Sequence, residues 1–123
     1  MLRNFLMVGL GGAAGSMARY GIGYGINRII KTEFPFGIFT INLAGCLLIG
    51  ILFGLAQRNT YLQDVGWSLL AVGFCGGFTT FSSFALDNIS LAGKQHTGLA
   101  ILYTLLSVVI GIALCRAGMW LAR

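Results

Sequence analysis

Apolar residues fill four long stretches of the chain, at about 2–30, 37–57, 65–92 and 99–121, and polar residues gather in the short links between them. A helix needs roughly 20 apolar residues to cross a hydrocarbon core. The pattern therefore predicts an all-α membrane protein with four transmembrane helices in one domain. The third stretch is interrupted. Its middle, Gly73–Phe84, reads Gly-Phe-Cys-Gly-Gly-Phe-Thr-Thr-Phe-Ser-Ser-Phe. Glycine costs roughly 1 kcal/mol against alanine inside a helix, and Thr79 and Thr80 suit a helix start better than a helix middle. The expectation is one half-helix ending near Gly76, a break near 76–80, and a second half-helix starting near Phe81. Such a break survives in lipid only where its freed backbone groups are buried in protein or face water or an ion.

The two ends differ in polarity. The first half-helix offers carbonyl oxygens, a place for a cation; the second offers N–H groups, a place for an anion. Phe81 and Phe84, at i and i+3, share a helical face and can turn their positive ring edges toward an anion. Phenylalanines in an apolar helix are otherwise core or lipid contacts, and the break is what favours the other use. Arg19 lies inside the first stretch, where a charge costs roughly 3 kcal/mol or more at the bilayer centre. It either faces protein and water or snorkels to an interface. Asn42, inside the second stretch, is of a type that most often bonds a neighbouring helix, although its amide N–H can also donate to an anion. Ser83 and Asp87 are four apart on one face, as are Tyr103 and Ser107. Pairs of glycines four apart (Gly11 with Gly15, Gly21 with Gly25, Gly50 with Gly54) give small faces for close helix approach.

Composition agrees with the pattern: 57% of the 123 residues are hydrophobic and 9% charged, far from a soluble globular average. The net charge of +5 forms no basic stripe, which argues against nucleic-acid binding. Cys46, Cys75 and Cys115 are too widely spaced for a zinc motif or a disulfide framework, and read as free thiols among apolar residues. Arg3 with the apolar run behind it resembles a secretory leader, but helical character continues past Arg19, so the stretch reads as a retained first span. One loop histidine, no acidic pair and no phosphate loop leave no enzyme constellation.

The motif at Gly73–Phe84, with Gly15–Arg19 and Asn42 soon after Pro35-Phe36-Gly37, resembles the Fluc (CrcB) fluoride channels over the whole chain. The resemblance implies an antiparallel dual-topology homodimer in the bacterial inner membrane, with two pores. It places Asn42, Phe81, Phe84, Ser82, Ser83, Tyr103 and Ser107 along the fluoride path. It makes the backbone carbonyls of Gly76 and Thr79 the ligands of a central sodium ion, and gives Arg19 and Asp87 structural roles near the vestibule. Two departures stand out. Asp87 occupies the place of a family glutamate, on a shorter arm, and Gly111 supplies no hydroxyl to continue the polar track beyond Ser107.

Three functions compete. A passive fluoride channel accounts for the break and for the uncharged donors beside it. A small multidrug-type proton-coupled exporter has a similar size, but carries a first-helix glutamate where this chain has Arg19. A structural assembly subunit needs neither the break nor the polar residues. The orientation signal is nearly balanced. Arg3, Arg58 and Arg123 fall on one side, joined by Arg116 if it snorkels, and Arg28, Lys31 and Lys94 on the other. A near tie predicts insertion both ways.

Overall fold

The computed structural model describes all of residues 1–123, and every regular element is helical. Helix α1 (Leu2–Ile29) is followed by α2 (Phe36–Ala56) and the single turn α3 (Thr60–Gln63). A π-helical stretch, Trp67–Cys75, runs on into α4 (Gly76–Phe78), and α5 (Phe81–Gly93) and α6 (Thr97–Leu121) complete the chain. The turn α3 lies where the sequence reads as a polar loop. Asn59 accounts for it, because its side chain accepts from the N–H groups of Tyr61 and Leu62.

Hydrophobicity points outward. Only 21 of 123 residues are buried, while Phe5, Leu86, Ile89, Ile112 and Trp120 are mostly exposed. Lipid, not water, is the solvent such a surface fits. Three helical segments are long and apolar enough to cross a membrane: Phe36–Ala56, Trp67–Gly93 taken through its break, and Thr97–Leu121. α1 is expected as a fourth. It has 28 residues, but Arg3, Asn4, Arg19, Asn27, Arg28 and its glycines leave it less apolar than the other three.

Two helix pairs carry most of the packing: α1 along the π-helical stretch and α4, and α2 along α6. Both pairs touch backbone to backbone. A methyl group on Gly11 would run into the Leu69 carbonyl and the Phe74 amide, and one on Gly15 into the Phe74 carbonyl. Leu69 and Phe74 are five apart, the hydrogen-bond spacing of a π-helix, so Gly11 seats directly on the widened turn. Between α2 and α6, Gly50 faces the Cys115 carbonyl and Gly118 the Leu47 carbonyl. Van der Waals contact at this range replaces the hydrophobic drive that helices lack in lipid.

The double glycine does not break the helix. Gly76 and Gly77 are both helical, and the helix runs on to Phe78. The interruption is only Thr79 and Thr80, whose backbones are extended with ψ of 157° and 120°. Gly77 serves close packing instead, since a Cβ there would strike the backbone of Gly12 on α1. The new helix starts at Phe81, with the Thr80 hydroxyl accepting from the Ser83 N–H at 3.2 Å as its cap.

Candidate functional site

The break is fastened to α2 by one side chain. Asn42 Nδ2 donates to the Thr80 carbonyl at 3.1 Å, and the Thr80 N–H donates to Asn42 Oδ1 at 2.9 Å. Both bonds run to a residue only 8% exposed, where unpaired backbone groups are expensive. On the other side of the break, the Thr79 N–H and hydroxyl both donate to the Cys75 carbonyl, at 2.9 and 2.8 Å.

These bonds free two particular carbonyls. A continuous helix would give Gly76 the Thr80 N–H and Thr79 the Ser83 N–H. The first goes to Asn42 and the second to the Thr80 hydroxyl. The Gly76 and Thr79 oxygens therefore lose their helical donors. Uncharged hard oxygens of this kind suit a monovalent cation such as sodium. Gly76 is exposed, with nothing within 4 Å of where its Cβ would stand, so other ligands can approach it. No cluster of His, Cys, Asp or Glu is placed to hold a metal, so a cation here would rest on backbone oxygens.

Beside the break lies a cavity of about 480 Å³. Asn42, Gly76, Thr79, Thr80, Phe81, Phe84 and Ser107 line it, with Gly45, Cys46 and Cys75 among the rest, and none of its lining residues carries a charge. The Ser107 hydroxyl is buried and has no hydrogen-bond partner. The Phe81 and Phe84 rings lie 5.8 Å apart, and Phe81 is 80% exposed. That exposure sets its ring apart from the helical core.

A second hollow, a cleft of about 520 Å³, lies at the α1–α2 link, lined by Asn27, Lys31, Glu33, Phe34 and Asp87 among others. Tyr103 connects the two. It is fully buried, donates to Asp87 Oδ2 at 3.0 Å, and packs tilted against Phe84 with ring centroids 5.0 Å apart. One residue on along each helix, the Thr104 hydroxyl donates to Asn88 Oδ1 at 2.8 Å, and Asn88 donates to the Phe84 carbonyl. Asp87 thus reaches α6 despite its short arm.

Asn42, Phe81, Phe84, Ser107, Gly76 and Thr79 come together around one cavity. Tyr103 stands behind Phe84. Ser82 and Ser83 do not line the cavity; their hydroxyls lie 3.3 and 3.2 Å from that of Thr80 and brace the cap. Arg19 is half-buried, makes no ion pair, and lines neither hollow. Thr80, Cys46 and Cys75 are lining residues that sequence reasoning did not assign to the site. For Thr80 the signal was its place just before the second half-helix; for the two thiols there was none. All three cysteines are free.

Fold and site together define an all-helical membrane protein built around an uncharged cavity at a broken helix. Residues 6–119 match the family described as CrcB-like protein, Camphor Resistance (CrcB). The chain is 42% identical to the fluoride-specific ion channel FluC of Azobacteroides pseudotrichonymphae genomovar. CFP2 over 120 residues, covering 96% of this chain and 94% of that one. It is 41% identical to the channel of the same name from Caulobacter vibrioides (strain NA1000 / CB15N), covering 99% and 97%. With that of Flavobacterium psychrophilum the identity is 37%, over 99% and 98%. The chain belongs to the CrcB family.

Proposed function

We propose that the protein is a passive, fluoride-selective channel that exports fluoride across the bacterial inner membrane. The observation that carries this reading is the uncharged cavity at the break, with a partnerless Ser107 hydroxyl and the Phe81 and Phe84 rings on its wall. Its relatives' names point the same way. Fluoride gives up its water only to a site that offers several donors at once. The Ser107 O–H, the second Nδ2 hydrogen of Asn42 and the two ring edges are such donors, and none holds the anion with a fixed charge. Weak, successive contacts let the ion leave as readily as it enters.

The working form in this reading is an antiparallel dual-topology homodimer with α1 as a fourth span in each chain, two pores, and one central sodium ion. The glycine seam that joins α1 to the third segment favours α1 in the membrane beside it. The freed Gly76 and Thr79 carbonyls fit the cation, which satisfies several oxygens at once and lowers the cost of an anion nearby. Asn42 holds the break open for both. A proton-coupled exporter is disfavoured, because Asp87, the acid nearest the cavity, is bonded to Tyr103 rather than lining it.

The test is efflux from liposomes loaded with fluoride, chloride or an organic cation. Fluoride efflux without a proton gradient is expected. Proton-driven efflux of the cation, with fluoride retained, would overturn the channel reading.

A further inference from the structure

We propose that Phe34, outside the broken helix, is a specificity-determining residue of the ion path, closing the gap between the cavity at the break and the cleft at Asp87. The inference rests on the channel reading. An ion moving from one hollow to the other has to pass the groups between them. Tyr103 is central among these: its ring meets Phe84, which lines the cavity, and also Phe34, which lines the cleft. The Phe34–Tyr103 contact is edge-on, with centroids 5.5 Å apart and planes at 80°. The Tyr103 hydroxyl is on Asp87, itself a cleft residue. The partition between the hollows is thus Phe84, Tyr103, Asp87 and Phe34.

Three of the four stand on α5 and α6. Phe34 alone is carried by the link between α1 and α2, so its position depends on what holds that link. The Lys94–Glu33 ion pair does so weakly: it measures 3.5 Å and both side chains are more than half exposed, a setting in which such pairs contribute about 0–1 kcal/mol. The ring of Phe34 does more. It packs on the buried cluster of Leu91, Ala100 and Tyr103, and makes a second edge-on contact with Phe39 at 5.1 Å and 81°. Removing the ring leaves a void at the partition and frees one side of Tyr103. A wider passage admits larger anions, because the diameter of a pore limits which ions pass it.

A packing role alone would lower efflux of all ions together. A role in the partition changes their ratio. We would reconstitute the full chain as wild type, Phe34→Ala and Phe34→Tyr, and measure fluoride and chloride efflux from the same liposomes. Phe34→Ala is expected to raise the chloride-to-fluoride ratio by about tenfold or more, while Phe34→Tyr, which keeps the ring, stays within about twofold of wild type. If the alanine variant fails to fold, Phe34→Leu is measured in its place, with the same direction expected. An unchanged ratio in whichever of the alanine and leucine variants still carries fluoride overturns the proposal, as does a proportional loss of both ions. No fluoride efflux from the wild type would instead overturn the channel reading, and this inference with it.

Discussion

Replacing Asn42 with alanine removes two hydrogen bonds from one buried residue, at 3.1 and 2.9 Å, and leaves the Thr80 N–H and C=O without partners. Leaving a buried polar group unpaired costs about 1–3 kcal/mol, and water entering the adjoining cavity would offset part of that. A loss of about 3 kcal/mol for the pair is reasonable, which is roughly a hundredfold in a local opening equilibrium. The Thr80 amide should therefore exchange its hydrogen about a hundred times faster in Asn42→Ala than in the wild type, read by mass spectrometry in nanodiscs. Asn42→Asp separates structure from conduction. A carboxylate still accepts from the Thr80 N–H but has no donor for the Thr80 carbonyl, so exchange there should fall between those of the alanine variant and the wild type. It also sets a fixed negative charge on the proposed anion path, so fluoride efflux should be lost. Exchange at Thr80 that stays near the wild-type rate in Asn42→Ala would refute the claim that this side chain holds the break.

Other substitutions divide cleanly between fold and flux. Phe81→Ile should leave thermal stability within about 0.5 kcal/mol, because the ring is 80% exposed. Phe84→Ile should cost about 1 kcal/mol through its contact with Tyr103. Both should cut fluoride efflux steeply, and undiminished efflux in both would return the rings to simple packing. Gly15→Ala drives a methyl group into the Phe74 carbonyl and should destabilise the chain by about 1–3 kcal/mol, visible as a lower Tm in detergent. A Cβ at Gly76 meets nothing within 4 Å in its own chain, so in the proposed dimer any damage from Gly76→Val should appear as lost cross-linking between chains, with helix content unchanged. Replacing sodium with a bulky organic cation on both sides should abolish efflux, while Thr79→Ser, which keeps the hydroxyl and the backbone oxygen, should preserve it. Full efflux without sodium would remove the ion from the mechanism.

Much of this architecture can be read from residue patterns. The apolar stretches and their links mark the long helices, and the hydroxyl residues before Phe81 mark where the second half-helix starts. The double glycine misleads, because propensity is a local quantity. Gly77 is needed where α1 comes close, and the resulting contact holds it helical. The π-helical stretch at Trp67–Cys75 has no periodic signature in so apolar a run, where every face looks alike. The pairing of Asn42 with Thr80 spans 38 residues, and no spacing rule reaches that far. Likewise the Tyr103–Asp87 bond could be placed only once α5 and α6 were seen side by side. The shared face of Ser83 and Asp87 was legible, but their partners differ: one braces Thr80 and the other meets α6.

The glycine seams also constrain the order in which the chain can be assembled. Neither tight pair joins sequence neighbours, since α1 closes on the third segment and α2 on α6. α1 ends at Ile29, and the stretch it seats against begins at Trp67. At about 5–20 residues per second of synthesis, that partner emerges roughly two to eight seconds later. During that interval the small faces of α1 and α2 are without the partners they pack on. The helix with the most arginines, α1, is then the one without its partner. Until the third segment and α6 have been made, neither glycine seam can form, so the close packing of this fold is completed late in synthesis.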